Sequence, residues 1–119
     1  MLSHLSRPLI LTPLLELEIA NAFYLRIFRK QANERQIRTS WGLFREDIQA
    51  GIFKPHPLSA EILLQARRLA MRATPRLGAR TLDLLHVASA IVLKVESFCT
   101  FDKRQAAVAI SEGLAVRTD

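Results

Sequence analysis

Residues 77–116 read LGARTLDLLHVASAIVLKVESFCTFDKRQAAVAISEGLAV, and this stretch decides the fold. A turn through Pro75 and Gly78 leads into TLDLLHVASAIVLK (residues 81–94), which is apolar on nearly every side. A helix of that kind is buried against a sheet and against its neighbours. SFCTF (97–101) predicts a short strand. DKRQAAVAISE (102–112) predicts a short helix stopped by Gly113, and LAVR (114–117) a last strand. Strands alternating with helices mean an α/β domain with a mainly parallel sheet.

Upstream, the same alternation continues. RPLIL (7–11) is a short apolar run suited to a buried strand, and Thr12-Pro13 supplies an N-cap and an N1 proline. LLELEIANAFYLRIFRK (14–30) then reads as a long helix with Leu14, Leu17, Ala20, Tyr24 and Ile27 at a 3.6 period. Asn33 and Gln36 form a capping-box pair that opens a second helix, which Gly51 stops. IFKPHPL (52–58) is extended, its prolines placing it at a sheet edge or end. Ser59 caps a third helix, EILLQARRLAMRA (61–73).

At 119 residues the chain is expected to form one domain, residues 1–119, and its 50% apolar content is enough for a real core. Lys and Arg outnumber Asp and Glu by 17 to 11, a net charge of +6 that favours polyanionic partners such as RNA, DNA or an acidic protein. The single Cys99 excludes an intramolecular disulfide framework and is expected to be a buried, inert thiol. No apolar stretch reaches the roughly 18 residues of a membrane span. Glu16 and Glu18 interrupt the apolar N-terminal region, which does not make a signal peptide, so a cytoplasmic location is expected.

The candidate residues for chemistry are the polar ones that the pattern pushes inward. Asp83 sits in the first turn of the most apolar helix, with His86 one turn on along the same face. Asp102 follows directly on the SFCTF strand, at the carboxyl end where ligands of open α/β sheets gather. Glu18 sits one turn into the first helix, just after the RPLIL strand. Gathered at one rim, three carboxylates repel one another, and a hard divalent cation such as Mg²⁺ or Mn²⁺ removes that penalty. Each residue also has a plainer reading. Asp83 suits a helix dipole, Asp102 an N-cap, Glu18 an ion pair with an arginine, and His86 a satisfied core histidine.

Taken together, residues 77–116 resemble the C-terminal half of a PIN domain, the family of metal-dependent ribonucleases that includes VapC-type toxins. The resemblance rests on Leu82-Asp83 with His86 in an apolar helix, Thr100-Phe101-Asp102, Gln105 with the alanines after it, and Gly113-Leu114 before a final valine. LILTPLLELEIANAF (9–23) is similar to the family's strand followed by a helix with an acidic residue. It implies a three-layer α/β fold, a short mainly parallel sheet flanked by helices. It also implies that Glu18, Asp83 and Asp102 are the catalytic acids and metal ligands for Mg²⁺ or Mn²⁺. Thr100 would support the site and His86 would buttress its helix. Arg76, Arg80, Lys103 and Arg104 flank the acids in sequence and are expected to hold RNA phosphates.

One departure bears on this. PIN domains usually begin with a strand carrying an aspartate followed by Ser or Thr, whereas the first carboxylate here is Glu16. The first central strand is thus expected to be missing. Either the chain starts downstream of the family's usual start, which we favour, or it is a degenerate member completed by a partner. The expected function is a PIN-type endoribonuclease, the toxin of a toxin–antitoxin pair that hydrolyses RNA phosphodiesters. The alternative is a catalytically inactive module that binds RNA or an antitoxin. An incomplete sheet exposes edges, so self-association into a homo-oligomer is expected.

Overall fold

The computed structural model describes residues 9–117, which contain five helices joined by short parallel strand pairs. They divide into two compact units, one up to Pro57 and one from Leu58 onward.

In the first unit, β1 (Leu9–Leu11) leads into α1 (Pro13–Phe28), α2 (Glu34–Gln49) and β2 (Phe53–Pro55). Arg7 and Pro8 of the expected strand lie outside the described residues. The start of α1 forms as the sequence predicts: the Thr12 hydroxyl accepts the Leu15 N–H at 3.1 Å, and Pro13 stands at N1. The Asn33–Gln36 box is reciprocal, with 2.8 and 2.9 Å bonds in the two directions. After α2, Gly51 takes a φ of 84°, a conformation in which a side chain is strained. The turn sends β2 back parallel to β1, pairing Leu9 with Phe53 and Leu11 with Pro55. Phe23, Trp41, Phe44 and Phe53 form a chain of ring contacts with centroids 5.1–6.2 Å apart. The periodic positions of α1 do not all turn inward, since Leu17 and Tyr24 are exposed, as is Phe28.

The second unit holds α3 (Ala60–Leu77), α4 (Thr81–Val92), β3 (Phe98–Cys99), α5 (Lys103–Ser111) and β4 (Val116–Arg117). Its core is built from Ile62, Leu69 and Ala73 of α3, Leu84, Val87 and Ala88 of α4, Phe98, and Val108 of α5. The near-continuous apolar surface of α4 is explained by its position, packed against both α3 and α5. Small residues at 88 and 90 let the neighbours approach. β3 and β4 pair in parallel, Phe98 with Val116 and Cys99 with Arg117. The strands therefore form two separate parallel pairs, β1–β2 and β3–β4.

Two local expectations are corrected. The turn expected through Pro75 lies wholly after it, because α3 runs on to Leu77. Pro75 sits in the last turns, where it removes a single helical N–H, and Gly78 ends the helix in the left-handed region at φ 64° with its N–H on the Thr74 carbonyl. Cys99 is exposed rather than buried. Successive residues of a strand face opposite ways, and Phe98 takes the inward position.

Candidate active site

Two helix starts in the second unit bring two acids together. Asp83 is the third residue of α4, and its Oδ2 accepts the backbone N–H of Arg80 at 3.0 Å. This closes the helix N-terminus from within, since an arginine at the N-cap has no side-chain acceptor of its own. Asp83 is almost fully buried, at 1% exposure. A buried carboxylate needs partners. Beyond the Arg80 N–H, Asp83 has the Arg80 guanidinium, with Nε at 3.3 Å and a looser Nη2 at 3.5 Å, and the Gln105 amide at 3.4 Å.

Asp102 is the N-cap of α5. Its Oδ1 accepts the N–H groups of Arg104 and Gln105 at 2.9 and 3.1 Å, so the plainer reading of this residue holds. That role uses one oxygen. The other, Oδ2, accepts the Arg80 Nη2 at 2.6 Å. The N–H of Asp102 in turn donates to the Thr100 hydroxyl at 3.0 Å, which fixes the loop leaving β3. Thr100 thus lies beside Asp102, bonded to its backbone.

One guanidinium therefore spans two carboxylates. The Gln105 N–H on Oδ1, with the Arg80 guanidinium and the Arg104 N–H, holds the Asp102 carboxyl below its ordinary value of 3.8. Both acids in turn raise the Arg80 guanidinium, Asp83 the more strongly. A depressed carboxylate stabilises the fold fully above its unfolded value. The contribution is progressively lost as pH falls from about 3.8 through the lower folded-state value. Melting temperatures of wild type and Asp102→Asn are accordingly expected to differ at neutral pH and to converge below pH 3.8. An undiminished gap in acid would rule the Asp102 charge out as its cause.

The remaining sequence-predicted residues are placed as follows. Glu18 lies in the first unit, part-buried on α1. His86 is part-buried on α4, one turn after Asp83. Lys103 and Arg104 are exposed in the first turn of α5. Arg76 is exposed near the end of α3, its Nε donating to the Arg72 carbonyl at 3.1 Å. Among the described residues of the second unit, no third His, Cys, Asp or Glu joins Asp83 and Asp102 in a group able to hold a metal ion.

The donor chemistry of the pair still fits a hard divalent cation. Both acids present carboxylate oxygens, and they already share one positive charge. Mg²⁺ is commonly held by one or two carboxylates, its other positions filled by water and substrate phosphate. The sequence reading missed the bridging role of Arg80, placed there among the phosphate contacts, and the contact of Gln105 with Asp83. Both have a sequence signal: Arg80 precedes Asp83 by one helical turn, and Gln105 follows Asp102 by three residues, at N3 of the helix that Asp102 caps.

No helix among the described residues is long and apolar enough to cross a membrane. No curated protein matches the chain. A family model described as PIN domain does match, from residue 5 to residue 111. It takes in the strand-and-helix start at 9–28 as well as the acids at the heads of α4 and α5, and this chain belongs to the PIN domain family.

Proposed function

We propose that this chain is a metal-dependent endoribonuclease that hydrolyses RNA phosphodiesters with Mg²⁺ or Mn²⁺, acting as the toxin of a toxin–antitoxin pair in the cytoplasm. PIN domains have a nuclease-type fold, are generally dependent on divalent metal, and are associated with RNA. The observation that carries the reading is the shared cation of Asp83 and Asp102, two acids from different helices whose carboxylates converge on one guanidinium. The family match runs across both compact units, which supports reading residues 1–119 as a single domain.

In this proposal Asp83 and Asp102 are metal ligands, and Glu18 is the third acid. A bound divalent cation would supply Lewis-acid stabilisation of an in-line displacement at phosphorus and an activated water. The chain's own groups do the rest. Thr100 and the N–H groups of Arg104 and Gln105 hold Asp102 in orientation, leaving Oδ2 to the Arg80 guanidinium. Gln105 and the Arg80 N–H do the same for Asp83. Arg76, Arg80, Lys103 and Arg104 would draw the RNA backbone toward the acids by charge, an attraction that weakens with salt. His86 is proposed to buttress α4 rather than to transfer a proton.

Mn²⁺-dependent cleavage of single-stranded RNA, abolished by EDTA, is the test. Protein that binds RNA equally well in EDTA, and never cuts it with Mn²⁺ present, would instead be an RNA- or antitoxin-binding module. A second copy of the chain is also a proposed partner, supported by the apolar side chains that α1 leaves exposed, Leu17, Tyr24 and Phe28. Light scattering is expected to give a mass above that of one chain, and a clean monomer would count against self-association.

A further inference from the structure

We infer that Arg80 is an exchangeable internal counter-ion: its guanidinium holds Asp83 and Asp102 together without metal and must leave both when they take a divalent cation. The inference rests on the proposed metal site. What it adds is a role for a residue that is neither a ligand nor part of the core.

The geometry distinguishes Arg80 from an ordinary surface arginine. Its Nη2 donates to Asp102 Oδ2 at 2.6 Å, and its Nε faces Asp83 Oδ2 at 3.3 Å. These are acceptor oxygens that a shared metal ion would also need. Two carboxylates and one guanidinium leave the cluster at a net −1, which still attracts a cation, but an entering ion competes with the guanidinium already on the same oxygens. The side chain is nonetheless 56% exposed, so it can withdraw into solvent without opening the core. Its anchor is separate from its charge. The backbone N–H of Arg80 caps α4 through Asp83 whatever the side chain does. Arg80 can therefore give up its carboxylates while the helix start stays formed, and the released guanidinium becomes available to a substrate phosphate.

The two acids are not equivalent in this exchange. Asp102 keeps the Arg104 and Gln105 N–H bonds on Oδ1 after Arg80 leaves. Asp83 keeps the Arg80 N–H and the Gln105 amide. Each acid thus retains a fixed orientation, and each regains an oxygen surface facing the space the guanidinium had occupied.

Arg80→Gln tests this, because it removes the charge and preserves the capping N–H. Titration with Mn²⁺ alone, followed by calorimetry or by the loss of free-ion paramagnetic resonance, is expected to show about tenfold tighter binding than wild type, since two part-exposed ion pairs no longer have to be surrendered. Equal or weaker binding by Arg80→Gln, with wild type binding Mn²⁺, overturns the counter-ion role and leaves the metal site standing. Failure of both proteins to bind Mn²⁺ overturns the metal reading and this inference with it. A second measurement needs no variant: in ¹⁵N-labelled wild type, the Arg80 Nε–H resonance is expected to move as Mg²⁺ is added, with faster exchange against water. A resonance that stays in place while Mg²⁺ binds would show that the bridge persists, and would overturn the exchange.

Discussion

Asp83→Asn is expected to lower Mn²⁺-dependent RNA cleavage by on the order of 10³-fold while leaving the protein folded. Charge stabilisation by a catalytic metal is worth several kcal/mol, and each 1.36 kcal/mol is a factor of ten in rate. The substitution is close to isosteric, and the asparagine carbonyl can still accept the Arg80 N–H that closes α4. Gln105 can turn its amide so that its oxygen faces the new NH₂ group. What is lost is the charge, and with it one proposed anionic ligand and the ion pair to Arg80. Circular dichroism and melting should match wild type within about 1 kcal/mol of stability, the scale of one hydrogen bond. A variant that still cleaves within about tenfold of wild type would remove Asp83 from the machinery. A variant that unfolds would instead assign Asp83 to the structure of α4, the role a dipole-complementing acid would have.

Leu69→Ala is expected to cost about 3 kcal/mol of folding stability, within the range of 2–5 kcal/mol usual for a buried leucine. Leu69 on α3 has no exposed surface, and it belongs to the cluster that includes Val87 of α4 and Val108 of α5. Small residues already stand at Ala66 and Ala73 on the same helix and at Ala88 and Ala90 on α4. Little side-chain volume is therefore at hand to collapse into the gap, so the cavity persists and its cost is felt. The melting temperature should fall by roughly 10–15 °C. The change also reaches the proposed site, because α3 and α5 pack against the helix on which Asp83 stands. Leu69→Met, close in volume, should lose far less, and equal losses for the two variants would mean that packing volume is not what Leu69 supplies.

Element by element, the sequence was most legible where structure is made by near neighbours. Thr12 with Pro13, Asn33 with Gln36, and Ser59 cap helices through bonds that span three residues, so residue type and spacing were enough to predict them; Asp102 also caps, the plainer of its two readings. The apolar run of α4 likewise announced a buried helix, and six of its twelve residues are buried. Predictions were weaker where the outcome depended on which way an element faces. SFCTF reads as an apolar run, yet in a strand only alternate side chains turn inward, and Cys99 falls on the outer face. The period of α1 marked a face of Leu17 and Tyr24, but nothing local to the helix determines whether a neighbour covers it, and both are exposed. Pro75 reads as a break, yet a proline late in a helix removes one bond and the chain continues to the glycine that can turn it.

For the acids the division is the same. The sequence alone placed Asp83 in the first turn of a buried helix and Asp102 between a strand and the next helix, with an N-cap as one of two readings for Asp102. Only the tertiary structure decided that these two helix starts converge, that Arg80 rather than a third acid stands between the two carboxylates in the second unit, and that Gln105 reaches back to Asp83. The Arg80–Asp102 and Gln105–Asp83 contacts each join residues 22 positions apart. They exist because α4 and α5 pack together in one core, a long-range arrangement that no window along the chain contains.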